Sequence, residues 1–251
     1  ISSANGTYKL GIIHHDWNGA DTQIRSLFCG YTHNCSRDKC EADIYNLTRT
    51  MPKSKKLYAF NIDANQIADS CRSLFVKSGG IVLNGIVKEV IFTNKKNVNY
   101  LILEDRTLKS DYYIDCSGFK NLLQFDKKCV NGLINDCALV YRDSKVYDHE
   151  FYTKTYALDY GWQWKIPLKH NTGYGIVYNS DIVHEDELVK HYYKTVPEFK
   201  ESGLRKIKFN PYIVTELFQD NYSCIGLSAG FIEPLEATAI DHIIFQIRRT
   251  A

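Results

Sequence analysis

Trp162-Gln163-Trp164-Lys165-Ile166-Pro167 constrains this chain more than any other segment. At strand spacing, residues i and i+2 point the same way, so both indoles cover one patch of one sheet face. The chain has only three tryptophans in 251 residues, and two of them fall in this patch. Such a wall suits a large flat object, although paired core tryptophans use the same spacing. A second segment runs from Gly226-Leu227-Ser228-Ala229-Gly230-Phe231 to Ile232-Glu233-Pro234-Leu235-Glu236-Ala237-Thr238-Ala239. It reads as a strand, a glycine-containing turn and an acidic, proline-punctuated helix start. Glycine lets a backbone come close to a ligand, and a helix N-terminus offers N–H groups to an anion.

Composition excludes several classes. The chain is 44% hydrophobic and 24% charged with net charge +2, enough for a sizeable core in one large domain or two small ones. So small a charge gives no case for nucleic acid, and Lys53-Ser54-Lys55-Lys56 reads as a solvated loop. No run of about 18 apolar residues exists, so no membrane span is expected. Eight cysteines without an opening secretory signal predict reduced thiols and a cytoplasmic protein. Cys29, Cys35 and Cys40 crowd around His33, yet their spacing misses the tight pairs of structural zinc sites. His14 and His15 point to opposite faces of a strand, so with Asp16 they do not converge on one ion. No metal is expected. Ser117 stands in Cys-Ser-Gly-Phe, not in the Gly-x-Ser-x-Gly turn of a hydrolase nucleophile.

Periodicity gives the elements. A strand is expected over Tyr8 to Trp17, followed by irregular chain from Asp21 to Lys56. A helix is expected over Asp63 to Ser78, with Ile67, Cys71, Leu74 and Phe75 on one stripe and Gly79-Gly80 at its end. Strands follow at Ile81 to Leu83, Val87 to Thr93, Asn99 to Glu104 and Tyr112 to Cys116. Residues 133–180 alternate as strands, broken at Gly161 and at Asn171-Thr172-Gly173. Asp186 to Tyr193 is a helix, Tyr222 to Leu227 a buried strand and Leu235 to Arg249 the final helix.

Taken together, these motifs resemble the flavin-dependent halogenases of the tryptophan-halogenase type. The Trp-x-Trp-x-Ile-Pro signature is matched at Trp162, Trp164, Ile166 and Pro167. The Gly-Phe-x-Glu-Pro-Leu-Glu-Ser-Thr segment is matched except at Ala237, where serine is usual. Asp115-Cys116-Ser117-Gly118-Phe119 is similar to the family's flavin-domain segment. The likeness runs from about Thr7 to the C-terminus. It implies an α/β (α+β) chain of two-dinucleotide-binding flavoprotein type with a β-rich substrate layer. That fold would be incomplete, because no Gly-x-Gly-x-x-Gly turn follows a strand near the start. An internal fragment, inactive by itself, is therefore expected. Residues 57–125 and 221–251 would be parts of the FAD-binding domain, and 1–56 and 126–220 the substrate layer.

The resemblance also implies roles. FADH2, O2 and chloride or bromide would yield hypohalous acid, which must be held and polarised toward an aromatic carbon. Lys9 matches the family's essential lysine; its ammonium can donate to that oxidant, or its amine can form a haloamine. Against this stands the common exposed strand lysine. Glu236 would orient the oxidant and accept the proton lost from the ring; otherwise it only complements a helix dipole. The backbone amides of Thr238 and Ala239 would bind halide. Leu227 and Ile240 would touch the flavin ring through backbone atoms, and Val87 the adenosine part. Trp162 and Trp164 would wall the flavin tunnel.

The expected partners are a small electron-rich aromatic, tryptophan or an indole-like compound among others, and a separate flavin reductase. The chain is also compatible with a homodimer. Ser26-Leu27-Phe28-Cys29-Gly30 lacks the histidine and proline of tryptophan-specific members, which leaves the substrate open. Two alternatives stay in view: a flavin monooxygenase-like oxidoreductase, and a truncated, non-catalytic flavoprotein remnant.

Overall fold

A computed structural model describes residues 6–27, 59–146, 151–235 and 239–250. In chain order it contains β1 (Thr7–Lys9), β2 (Gly11–His15), β3 (Gln23–Leu27), β4 (Ala59–Asn61) and helix α1 (Ala64–Lys77). Strands β5 (Val87–Asn94), β6 (Asn97–Leu103), β7 (Thr107–Leu108), β8 (Tyr113–Asp115) and β9 (Lys127–Cys129) follow. Next come β10 (Cys137–Asp143), β11 (Tyr152–Leu158), β12 (Gly161–Pro167), β13 (Thr172–Tyr178) and helix α2 (Glu185–Thr195). The chain closes with β14 (Arg205–Lys208), β15 (Tyr212–Val214), β16 (Tyr222–Cys224), β17 (Gly230–Phe231) and helix α3 (Ala239–Thr250).

Two compact units form, one from residues 1–80 and 137–207, the other from 81–136 and 208–251. These boundaries leave 57–80 with the first unit and 126–136 and 208–220 with the second, unlike the functional partition expected from sequence. The first unit is built on a seven-stranded sheet in the order β14-β10-β13-β12-β11-β2-β3. Its pairings are antiparallel from β10 to β11 and again between β2 and β3, whereas β2 and β11 run parallel. β13 lies inside the sheet, and Ile176, Val177 and Tyr178 are fully buried on its two faces. Helix α2 covers one face. Glu185, Asp186 and Glu187 in its first turn complement the helix dipole, while Leu188 and Tyr192, four residues apart, face the sheet. There they join Leu139, Tyr141, Ile176, Tyr178 and Phe199 in the unit's core. The Tyr192 hydroxyl donates to the Leu139 carbonyl at 2.7 Å, which satisfies the polar end of a ring buried for its apolar body.

The second unit carries the antiparallel sheet β5-β6-β7, the sheet β17-β15-β9 and the parallel pair β8 and β16. Val98, Tyr113, Leu123, Phe125, Tyr212 and Tyr222 are among its core residues.

Several sequence expectations are corrected. The strand expected over Tyr8 to Trp17 divides at Leu10, because β1 pairs with β4 while β2 pairs with β3 and β11. β3 forms inside the stretch expected to be irregular, and the chain from 28 to 58 lies outside the described residues. Ile81 to Leu83 forms no strand; no described segment pairs with it, and Ile81 is 79% exposed. Helix α1 does form, with Asp63 as N-cap accepting from the Asn65 amide at 3.0 Å. None of its residues is buried; Ile67 of its apolar stripe is half-buried, while Cys71, Leu74 and Phe75 are exposed. No described helix is long and apolar enough to cross a membrane.

Candidate active-site elements

On β12 the alternation puts Trp162 and Trp164 on one sheet face, with ring centroids 5.6 Å apart and planes inclined at 50°. Trp162 is buried and Trp164 half-buried. The register carries that face outward through Thr155 on β11 to His14 on β2. His14 Nδ1 lies 2.8 Å from Thr155 Oγ1, and the imidazole meets Trp17 edge-on. His15 turns to the opposite face and stacks on Tyr156 at 4.7 Å. On the inner side, Trp164 is paired with Gly175, and a Cβ added at Gly175 would come within 1.9–2.4 Å of the indole's six-membered ring. The tryptophan patch therefore depends on that glycine. Gly175→Val is expected to cost about 1–3 kcal/mol or more in urea unfolding and to change the near-UV aromatic circular dichroism. Unchanged values for both would mean that the indole does not occupy this place.

Lys9 ends β1, in the same unit, and is only 8% exposed. It is not the solvated strand lysine of the alternative reading. Burying an ammonium is costly unless polar groups or opposite charge compensate it, so a buried lysine is a functional candidate on physical grounds.

The second unit assembles the two glycine-containing motifs. Parallel strands β8 and β16 end side by side, with Asp115 opposite Cys224. Asp115 is 4% exposed and ties the two ends together. Its Oδ1 accepts from the Ser117 amide at 2.7 Å and from Ser228 Oγ at 3.1 Å, and its Oδ2 from the Leu123 amide at 2.9 Å. Ser228, fully buried, also accepts from the Gly118 amide at 2.9 Å. Gly226 opens the second turn at φ +69°, a left-handed backbone that glycine adopts without strain, and its amide donates to Gln246 Oε1 of α3 at 2.8 Å. Burial, aided by the Asp115 charge, pushes the Cys224 thiol up to about 12, so it stays protonated. Burial likewise raises the Tyr212 phenol, whose hydroxyl donates to the Leu227 carbonyl.

Leu227 is 37% exposed, and its amide N–H makes no hydrogen bond among the described residues. Ile240, in the first turn of α3, is 44% exposed, and Ala239 beside it is exposed. Val87 starts β5, half-buried, in the same unit. Glu236 and Thr238 lie outside the described residues, as do Cys29, His33, Cys35 and Cys40. Lys9, Trp162 and Trp164 thus belong to one unit, and Val87, Leu227, Ala239 and Ile240 to the other. The positioning pair Asp115 and Ser228 had no role in the sequence reading. Only the parallel register of β8 and β16 makes it visible.

Comparison with known proteins places these elements in a family. The family description "Tryptophan halogenase" matches residues 36–251. The chain is 30% identical over 196 residues to tryptophan 7-halogenase KtzQ of Kutzneria sp. (strain 744), covering 73% of this chain and 37% of that protein. It is 29% identical over 225 residues to tryptophan 7-halogenase RebH of Lentzea aerocolonigenes, covering 84% and 42%. The chain therefore spans well under half the length of these relatives. Among solved structures, Xcc4156, a flavin-dependent halogenase from Xanthomonas campestris, superposes with TM-score 0.87 at 24% identity, covering 99% of this chain and 57% of that one.

Proposed function

Because the chain belongs to the tryptophan halogenase family, we propose that it forms part of an enzyme that halogenates an electron-rich, tryptophan- or indole-like ring. FAD delivered as FADH2 by a separate reductase would, with O2 and chloride or bromide, supply hypohalous acid. The residues fit such a group. Leu227 and Ile240 expose apolar surface, and the Leu227 amide offers a donor to the acceptor edge of a flat heteroaromatic ring. The carbonyl of Leu227 is already held by Tyr212, which anchors the peptide that follows Leu227. Val87 is assigned to the adenosine part.

The observation that carries the reading is the burial of Lys9 at 8% exposure in a chain whose sheet also presents the paired tryptophans. A buried ammonium donates hydrogen bonds to an oxidant that bulk water cannot screen. Lys9 would hold and polarise hypohalous acid at its oxygen, so that the halogen meets the ring carbon as an electrophile. Glu236 would take the ring proton that restores aromaticity, and the amides of Thr238 and Ala239 would hold halide by the physics of a helix N-terminus. Trp162 and Trp164 would exclude water and side reactions along the path.

The test incubates the full-length protein with a flavin reductase, FAD, NADH and bromide, together with a panel of indoles and phenols, and reads products by mass spectrometry. A bromide-dependent product with the isotope doublet of bromine is expected. A product that gains oxygen, with or without bromide, would instead favour the monooxygenase alternative.

A further inference from the structure

The ribbon of β1 and β4 carries a buried donor besides Lys9. In this antiparallel pair Thr7 stands opposite Asn61 and Lys9 opposite Ala59. Residues directly opposite share a face, as do residues two apart on one strand, so Thr7, Lys9, Ala59 and Asn61 present to the same side. Tyr8 and Phe60, the pair between them, bring their rings to 5.7 Å on the other side. Asn61 is the diagonal neighbour of Lys9, and such positions lie about 7–8 Å apart, within reach of a long side chain.

Asn61 is 5% exposed, and its Oδ1 accepts from the Thr153 hydroxyl at 3.0 Å. Thr153 is two residues from Thr155, which stands opposite Trp164. The bond therefore joins the buried face of the ribbon to the tryptophan face of the large sheet. All of these residues belong to the first unit. The Asn61 NH2 is buried and has no hydrogen-bond partner among the described residues. Asp63, the carboxylate nearest to it along the chain, is committed to the Asn65 amide and to Arg142. A buried carboxamide with an idle NH2 is costly, and an acceptor brought by a ligand removes that cost. On the face that also carries Lys9, such a ligand would meet two kinds of donor at once.

We propose that the Asn61 NH2 is a second donor of the site that Lys9 marks and, resting on the halogenation reading above, that it hydrogen-bonds the oxygen of hypohalous acid. When the oxygen–halogen bond breaks, a ring π pair takes the halogen and the oxygen keeps the bonding pair. Donors to that oxygen stabilise its charge until a proton completes water. The test uses the full-length protein with reductase, FAD, NADH, bromide and indole, and monochlorodimedone in solution to capture escaping hypobromous acid. Asn61→Leu should oxidise FADH2 at the wild-type rate, give at least about tenfold less brominated indole and release more captured oxidant. Thr153→Val breaks the same Asn61 hydrogen bond but keeps the NH2, and should stay within about threefold of wild type. Should Asn61→Leu fail to fold, Asn61→Asp, which keeps the oxygen that Thr153 meets and removes the NH2, takes its place with the same expected loss. In protein labelled with 15N-asparagine and free of flavin, the Asn61 NH2 resonance should shift saturably with sodium formate. Undiminished bromination in the folded Asn61 variants, an equal loss in Thr153→Val, or an unmoved resonance would overturn the proposal. Wild-type protein that yields neither brominated indole nor captured oxidant would instead overturn the halogenation reading, and the formate titration would then decide alone whether Asn61 takes an outside acceptor.

Discussion

Replacing Asp115 by alanine is expected to destabilise the second unit by roughly 3–5 kcal/mol. The carboxylate is 4% exposed and receives the Ser117 and Leu123 amides and the Ser228 hydroxyl. Alanine would leave the Ser117 and Leu123 amides without this acceptor, each such loss costing on the order of 1–3 kcal/mol before any relaxation, while the Ser228 hydroxyl keeps the Gly118 carbonyl at 3.3 Å. Asp115→Asn keeps the shape but presents an NH2 to one of the amide donors, so it should fall between wild type and Asp115→Ala. The consequence goes beyond stability. Asp115 and Ser228 join the turn at Gly118 to the turn at Gly226, and the second turn sets the exposed Leu227. Urea unfolding gives the free energy, and hydrogen exchange at the Ser117 and Leu123 amides locates the loss. An Asp115→Ala protein within about 0.5 kcal/mol of wild type, with both amides still protected, would show that the carboxylate is not the tie.

That tie also shows where sequence reading stops. Asp115-Cys116-Ser117-Gly118 and the Gly226 turn were both legible as glycine-bearing turns after apolar strands. Their meeting was not, because it follows from pairing Tyr222 with Tyr113 across a long intervening stretch of chain. The paired tryptophans were legible because period-two alternation is local, and β12 preserves it. Their dependence on Gly175 arises from the β12–β13 register, which no local pattern encodes. Helix α1 was readable from its spacing and from Gly79-Gly80 at its end, yet its stripe of Leu74 and Phe75 remains exposed at 63% and 53%. Periodicity reports that a face exists, not that a partner covers it. Ile81 to Leu83 fails for a related reason. An apolar, β-branched run becomes a strand only beside another strand, and none of the described strands pairs with it.

The lysine illustrates the remaining gap most sharply. In sequence, Thr7-Tyr8-Lys9-Leu10 points to a functional lysine only through its likeness to the family segment, since taken by itself a strand lysine is usually solvated. The two-strand pairing of β1 with β4 places Thr7 opposite Asn61 and Lys9 opposite Ala59, and Thr153 on β11 donates to Asn61 at 3.0 Å. Those contacts tie β4, and β1 through it, to the large sheet. The burial of Lys9 is thus a product of long-range packing.

If Lys9 holds the oxidant, removing its ammonium should separate flavin oxidation from halogen transfer. The direct measurement compares wild type with Lys9→Met, a change that keeps the buried aliphatic stem, and follows FADH2 oxidation and brominated product in one reaction. The expected result is flavin oxidation at a similar rate with at least about a hundredfold less brominated product, the scale on which a positioned proton donor contributes. Brominated product formed by Lys9→Met at the wild-type rate would contradict the role given to this lysine.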